Sequence, residues 1–146
     1  MERFPVKDAI KNGNSHREDL PSEIYYYQNG QPIIQSWYIN GKLYREGDLP
    51  ADIYYYENGQ PSKEVWYKHR EGDLPVFIEY YQNGQPKIEK WHKNGFFHRE
   101  GDLPAVIQYF ENGKLHIQSW YQNGKLHIEN ILLSHIEYYE KWATFQ

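Results

Sequence analysis

The stretch Ile24-Tyr25-Tyr26-Tyr27-Gln28-Asn29-Gly30-Gln31-Pro32-Ile33-Ile34-Gln35-Ser36-Trp37 decides the fold. Two runs rich in β-branched and aromatic residues flank an Asn-Gly pair, the strongest short-range signal for a β-hairpin. A two-residue type I′ turn is predicted at Asn29-Gly30, because Asn tolerates and Gly readily adopts the positive φ that such a turn needs. This turn pairs Gln28 with Gln31, Tyr26 with Ile33, Ile24 with Gln35 and Ser22 with Trp37. A second turn at Asn40-Gly41 pairs Ile39 with Lys42 and Trp37 with Tyr44.

Outward from this hairpin the chain repeats itself. Trp37, Trp66, Trp91 and Trp120 are spaced 29, 25 and 29 residues apart. The Asn-Gly pairs at 29–30, 58–59, 83–84 and 112–113 keep that spacing, as do Leu-Pro at 20–21, 49–50, 74–75 and 103–104. The unit is therefore 29 residues, and the copy between Trp66 and Trp91 is four short because its second Asn-Gly turn is deleted. His127 through Glu140 aligns without a gap on His98 through Glu111, so the C-terminus reads as a worn further copy ending in a strand. The whole chain, 1–146, is expected to be one repeat domain of about four to five copies, with a cap strand in 1–15 and a degenerate cap in 130–146.

The copies can be compared with each other. One face carries Leu20, Ile24, Tyr26 and Trp37 and their equivalents, which hardly vary. Beside them lies a small position: Ser22, Ala51, Val76, Ala105 and Ser134. Large constant residues against a small one suit the close packing of repeated layers. The leucine of each Gly-Asp-Leu-Pro link is expected to tuck under the sheet. The opposite face varies: Tyr25, Tyr54, Glu79, Gln108 and Glu137 form one column, and Glu23, Asp52, Phe77, Val106 and His135 another. An aromatic column, Tyr27, Tyr56, Tyr81, Phe110 and Tyr139, runs alongside. That face reads as half-wet, with tyrosine hydroxyls reaching water. The expected fold is all-β: a meandering antiparallel sheet of roughly nine to twelve short strands, elongated or curled in a single layer.

Composition sharpens this reading. Aromatic residues make up 18% of the 146 residues, with 15 tyrosines and 5 tryptophans, at a mean hydropathy of −0.95. Disordered chains are poor in aromatics, so the polarity does not signify disorder. There is no cysteine, which excludes disulfides, thiolate metal sites and a cysteine nucleophile. No apolar run has the length of a membrane-spanning helix, and the start resembles no secretory signal, so a cytoplasmic protein is expected.

The motifs Tyr-Tyr-x-Asn-Gly-(Gln/Lys) and Trp-Tyr-x-Asn-Gly-Lys-Leu-(His/Tyr)-Arg-Glu-Gly resemble the variant MORN repeats of bacterial proteins and large DNA viruses. Tyr55–Gly59 with Trp66, Tyr80–Gly84 with Trp91–Gly101, and Tyr109–Gly113 with Trp120–His127 carry the resemblance, which spans residues ~12–140. It implies an elongated, twisted sheet of stacked hairpins serving as a scaffold or protein-binding surface. Some members of that family are linked to phospholipid membranes. Here Arg-Glu-Gly-Asp-Leu-Pro stands where Gly-x-Gly is usual, and the net charge of −4 argues against a lipid partner.

The residues that could carry chemistry mostly repeat with the fold. His16, His69, His98 and His127 recur once per copy, but equivalents lie at least two strands, ~9–10 Å, apart. Ligands of one metal ion each sit ~2 Å from it, so no metal site is expected. Instead His98 and His127 should pair across their hairpins with Trp91 and Trp120. Arg17-Glu18, Arg45-Glu46, Arg70-Glu71 and Arg99-Glu100 point to opposite faces and should each bond elsewhere. Asp48, Asp73 and Asp102 occupy identical turns, whereas catalytic carboxylates break symmetry. No P-loop, nucleophile elbow or dinucleotide fingerprint occurs. Neither a catalytic residue nor a cofactor is expected, and 20 acids against 16 bases argue against a nucleic-acid partner.

Exposed aromatics remain the functional lead, with Tyr25, Tyr27, Tyr54, Tyr56 and Tyr81 as the candidate binding surface. The expectation is a non-enzymatic scaffold that binds a protein, including a further copy of itself through open sheet edges, as a dimer or higher oligomer. The alternative is a glycan-binding module using the tyrosine columns.

Overall fold

The computed structural model describes residues 20–68, 73–122 and 124–131. They form an all-β structure without a helix. The main hairpins are β1 (Glu23–Tyr26) with β2 (Pro32–Ser36), β5 (Asp52–Tyr55) with β6 (Pro61–Val65), β7 (Phe77–Tyr80) with β8 (Pro86–Lys90), and β11 (Val106–Tyr109) with β12 (Leu115–Gln122). Two short side hairpins, β3 (Tyr38–Ile39) with β4 (Lys42–Leu43) and β9 (His92–Lys93) with β10 (Phe96–Phe97), leave the main sheet after Trp37 and Trp91. In the fourth copy the second hairpin does not leave: β12 runs on and pairs with β13 (Lys125–Ile131) in the main sheet. The result is one nine-stranded antiparallel meander, β1-β2-β5-β6-β7-β8-β11-β12-β13, open rather than closed into a barrel. The cap strand expected in 1–15 and the final strand beyond 131 lie outside the described residues.

The two kinds of Asn-Gly turn differ. Asn40 and Gly41 have φ of 50° and 73°, and Asn94 and Gly95 have 52° and 80°, as a type I′ turn requires. The predicted pairs Ile39 with Lys42 and Trp37 with Tyr44 follow from it. In the main hairpins only the glycine is left-handed, Gly30 at 83°. Gly30 N–H donates to Tyr27 O at 3.0 Å, and Tyr27 N–H to Gln31 O at 2.8 Å. The loop is thus three residues, Gln28-Asn29-Gly30: a type I turn closed by a left-handed glycine, not type I′. The Asn29 side chain stabilises it by accepting the Gln31 N–H at 3.0 Å, and Asn58, Asn83 and Asn112 do the same in their copies.

An odd loop should put every side chain on the wrong face. A bulge corrects this. Tyr26 pairs with Pro32 rather than Ile33, then Tyr25 pairs with Ile34 and Ile24 with Gln35, leaving Ile33 as the extra residue. From Tyr25 outward the predicted register holds. All four main hairpins bulge here, including the one with Leu115 in place of proline, so the loop rather than the proline demands it. A bulge also shifts the last hairpin: Trp120 pairs with Ile128, not with His127, which is left over between Ile128 and Leu126. The other expected pair stands, with His98 N–H donating to Trp91 O at 3.1 Å.

The constant face supplies the core. Trp37, Trp66, Trp91 and Ile107 are buried, and the small position lies under them, with Ala51 2%, Val76 8% and Ala105 1% exposed. The link leucines do not tuck under the sheet: Leu20, Leu49, Leu74 and Leu103 lie in the links outside the strands and are 42–48% exposed. Arginine covers tryptophan instead. The guanidinium of Arg45 lies 3.7 Å from the Trp37 ring centroid, and that of Arg99 3.8 Å from Trp91.

Arg99 also ties neighbouring links together. Its Nε and Nη2 donate to both carboxylate oxygens of Asp73 at 2.7 and 2.5 Å, and Nη1 donates to Pro104 O at 3.3 Å. The Arg99 hydrogen bonds hold the Asp73 carboxyl below its ordinary value. A depressed carboxyl stabilises the fold above its unfolded pKa of ~3.9, and that contribution is lost as pH falls through the lower folded value. Asp73 is half exposed, which weakens the pair by screening. Arg99→Ala should therefore cost about 1–2 kcal/mol at neutral pH, much of it lost packing on Trp91. In urea titrations the gap from wild type should narrow below pH ~3. A gap unchanged between pH 7 and 2.5 would mean that the ion pair contributes nothing.

Candidate binding face

Tyrosines dominate the variable face, but they divide into two groups. Tyr27, Tyr56 and Tyr81 stand where each main strand enters its turn. Their hydroxyls donate to the backbone carbonyls of Tyr55 at 3.0 Å, Tyr80 at 2.6 Å and Tyr109 at 2.9 Å. The ladder between neighbouring copies ends one residue earlier, at Tyr54, Glu79 and Gln108. Each hydroxyl thus bonds the carbonyl just beyond the end of that ladder. Asn29 and Asn83 side chains add bonds of 2.9 Å to the carbonyls of Glu57 and Glu111 in the next turn. The expected water-facing hydroxyls of this column are in fact joints between copies. On the constant face the second tyrosine of each pair does related work, with Tyr55, Tyr80 and Tyr109 donating to Gln35, Glu64 and Glu89 at 2.6–2.7 Å. Burial and the Glu89 bond push the Tyr109 hydroxyl well above its ordinary value.

Tyr25 and Tyr54 belong to the second group. Cross-strand pairs place them on either side of Ile34 in one row. The adjacent row on that face runs Glu23, Ser36, Asp52, Val65 and Phe77. Tyr38 lies two residues beyond Ser36, and Tyr67 two beyond Val65, so period-two alternation brings both to the same face on the two flanks of Asp52. Asp52 is 3% exposed. Its Oδ2 accepts a hydrogen bond from the Tyr67 hydroxyl at 3.1 Å, and its Oδ1 is buried without a partner. Tyr38 and Tyr67 remain 37% and 54% exposed. Burial, and after it the charge of Asp52, pushes Tyr67 up to about 12. Burial, then Glu23 and Asp52, raises Tyr38. The Tyr54 ring receives Lys63 Nζ at 3.5 Å.

The raised value of Tyr67 has a measurable consequence. A hydroxyl whose folded pKa exceeds its unfolded value near 10 stabilises the fold fully below pH 10, and that stability is lost as pH rises towards 12. An absorbance titration of the tyrosinate band should show a late-titrating group that Tyr67→Phe removes and Asp52→Asn moves towards 10. No change in the late phase in either variant would break the Tyr67–Asp52 link.

Of the five tyrosines singled out from the sequence, the fold brings Tyr25 and Tyr54 together and assigns Tyr27, Tyr56 and Tyr81 to joints. Sequence reasoning missed Tyr38, Tyr67 and Asp52. The available signal was the tyrosine after Trp37 and Trp66, a position that becomes His92 in the third copy, with Asp52 in a column that is otherwise Glu23, Phe77 and Val106. Elsewhere, a cleft of about 290 Å³ lined by Leu74, Trp91, His98, Arg99 and Leu103 has its charged groups engaged, Arg99 with Asp73 and Glu100 with Lys93 at 2.5 Å. Among the described residues no group of three or more His, Asp or Glu is placed to hold a metal ion, and no helix is long and apolar enough to cross a membrane. Comparison with protein-family models, with curated proteins and with solved structures finds no match to this chain.

Proposed function

We propose that this chain is a non-enzymatic binding scaffold of MORN-like hairpins, whose partner is a protein docking on the tyrosine face of the first two copies. One observation carries this reading: the group around Asp52 breaks the repeat. The aromatic columns that recur in every copy are absorbed by core and joints, Trp37, Trp66 and Trp91 in the one and Tyr27, Tyr56 and Tyr81 in the other. Tyr25, Tyr54 and Asp52 are replaced in later copies by Glu79, Gln108, Phe77 and Val106, although the strands there are built alike. A large aromatic group kept half exposed, where the fold does not need it, suits a protein hot spot. The glycan alternative draws less support, because the column it would use has its hydroxyls on backbone carbonyls. The test compares affinity capture by wild type and by Tyr25→Ala/Tyr54→Ala, with matching circular dichroism. Partners retained by wild type and lost by the variant support the reading. An identical set retained by both overturns it.

A further inference from the structure

The buried Asp52 carboxylate calls for a partner that the described residues do not supply. A carboxylate taken out of water needs its oxygens hydrogen-bonded or paired with a cation. Tyr67 serves Oδ2, while Oδ1 has no donor among the described residues. The flanking residues in the row are Ser36 and Val65, and Lys63, a cation on the same face, is engaged over the Tyr54 ring. The neighbours of the carboxylate are aromatic: Tyr67 bonds to it, and Tyr38 feels its charge, and both rings are partly exposed. Glu23 lies in the same row, across Ser36, and adds negative potential.

Resting on the reading of this face as a protein-docking surface, we infer that Asp52 with Tyr38 and Tyr67 receives a lysine-type ammonium from the partner, one that keeps at least one N–H. The rings offer their negative π-faces to the alkyl-ammonium stem. An N–H donates to Oδ1, forming the charge-assisted bond that the carboxylate lacks. A quaternary ammonium could use the rings but not Oδ1. The same site is absent from the third and fourth copies, where Phe77 and Val106 stand in place of Asp52.

The probe is n-butylammonium chloride, with tetramethylammonium chloride as control, followed by backbone amide chemical shifts in the full chain. Saturable shifts at residues 36, 38, 52, 54 and 67 with butylammonium are expected, at least about tenfold weaker in Asp52→Asn and weaker for tetramethylammonium. Tyr38→Ala, at an exposed position that leaves the core intact, should also weaken binding and covers the case of an Asp52→Asn variant that fails to fold. Absence of saturable shifts, equal affinity in Asp52→Asn, or equal affinity for the two probes would overturn the inference. Failure of the inference is separable from failure of the docking reading. If Asp52→Asn retains a captured partner that Tyr25→Ala/Tyr54→Ala loses, the lysine site is wrong and the face stands. If neither variant loses it, both are wrong.

Discussion

Trp91→Ala should be the most damaging single substitution among the described residues, lowering stability by about 3–5 kcal/mol. Trp91 packs on Ala105 and Ile107, with Phe97, Tyr109 and Tyr121 at the margin. Alanine there leaves a cavity among buried neighbours that are already packed on it. It also strips Arg99 of the ring beneath its guanidinium, worth roughly another 1 kcal/mol. The indole N–H of Trp91 is buried without an acceptor, so Trp91→Phe forfeits only volume and should cost about 1–2 kcal/mol. Because each hairpin touches chiefly its neighbours, damage should spread locally, and the β8–β11 junction should open before the N-terminal hairpins. Hydrogen exchange with urea titration reads both effects. A loss below about 1 kcal/mol for Trp91→Ala would mean that the tryptophan column is not the core.

The second large effect should come from three oxygen atoms. Tyr27→Phe, Tyr56→Phe and Tyr81→Phe each keep the ring and delete one hydroxyl, and each leaves a half-buried carbonyl without its donor. A cost of about 1 kcal/mol apiece follows from ordinary hydrogen-bond energetics. The three sites are two strands apart, ~9–10 Å, and share no partner, so the triple variant should lose about 3 kcal/mol. The urea-midpoint shifts of the single variants should sum to that of the triple. A fall in the denaturant slope of the triple would report copies unfolding separately once the joints are cut. A triple variant within about 0.5 kcal/mol of wild type would show that water replaces the hydroxyls at no cost.

These two groups mark how far the sequence could be read. The tryptophan column was legible because its period is the period of the hairpin, and a buried face must repeat large residues at fixed spacing. The tyrosine joints were not legible. Their bonds span 24–28 residues and end on backbone carbonyls, which carry no residue identity to search for. The face of Tyr27 could be counted, but not the carbonyl that its hydroxyl would meet.

Local chemistry alone determined the hairpins. Asn-Gly placed the turns, alternation assigned the faces, and the register from Tyr25 and Ile34 outward came out right although the turn type and the pair Tyr26 with Ile33 did not, because one bulge offsets one extra loop residue. The side turn at Asn40-Gly41 was right in every detail, since two residues of positive φ leave no alternative. Only the assembled sheet decided that the link leucines stay exposed, that Arg99 reaches back to Asp73, and that Tyr67 bonds to Asp52. Those outcomes depend on how successive hairpins bend against one another. That angle is set by the sum of many weak contacts between distant residues, and no single stretch of the chain encodes it.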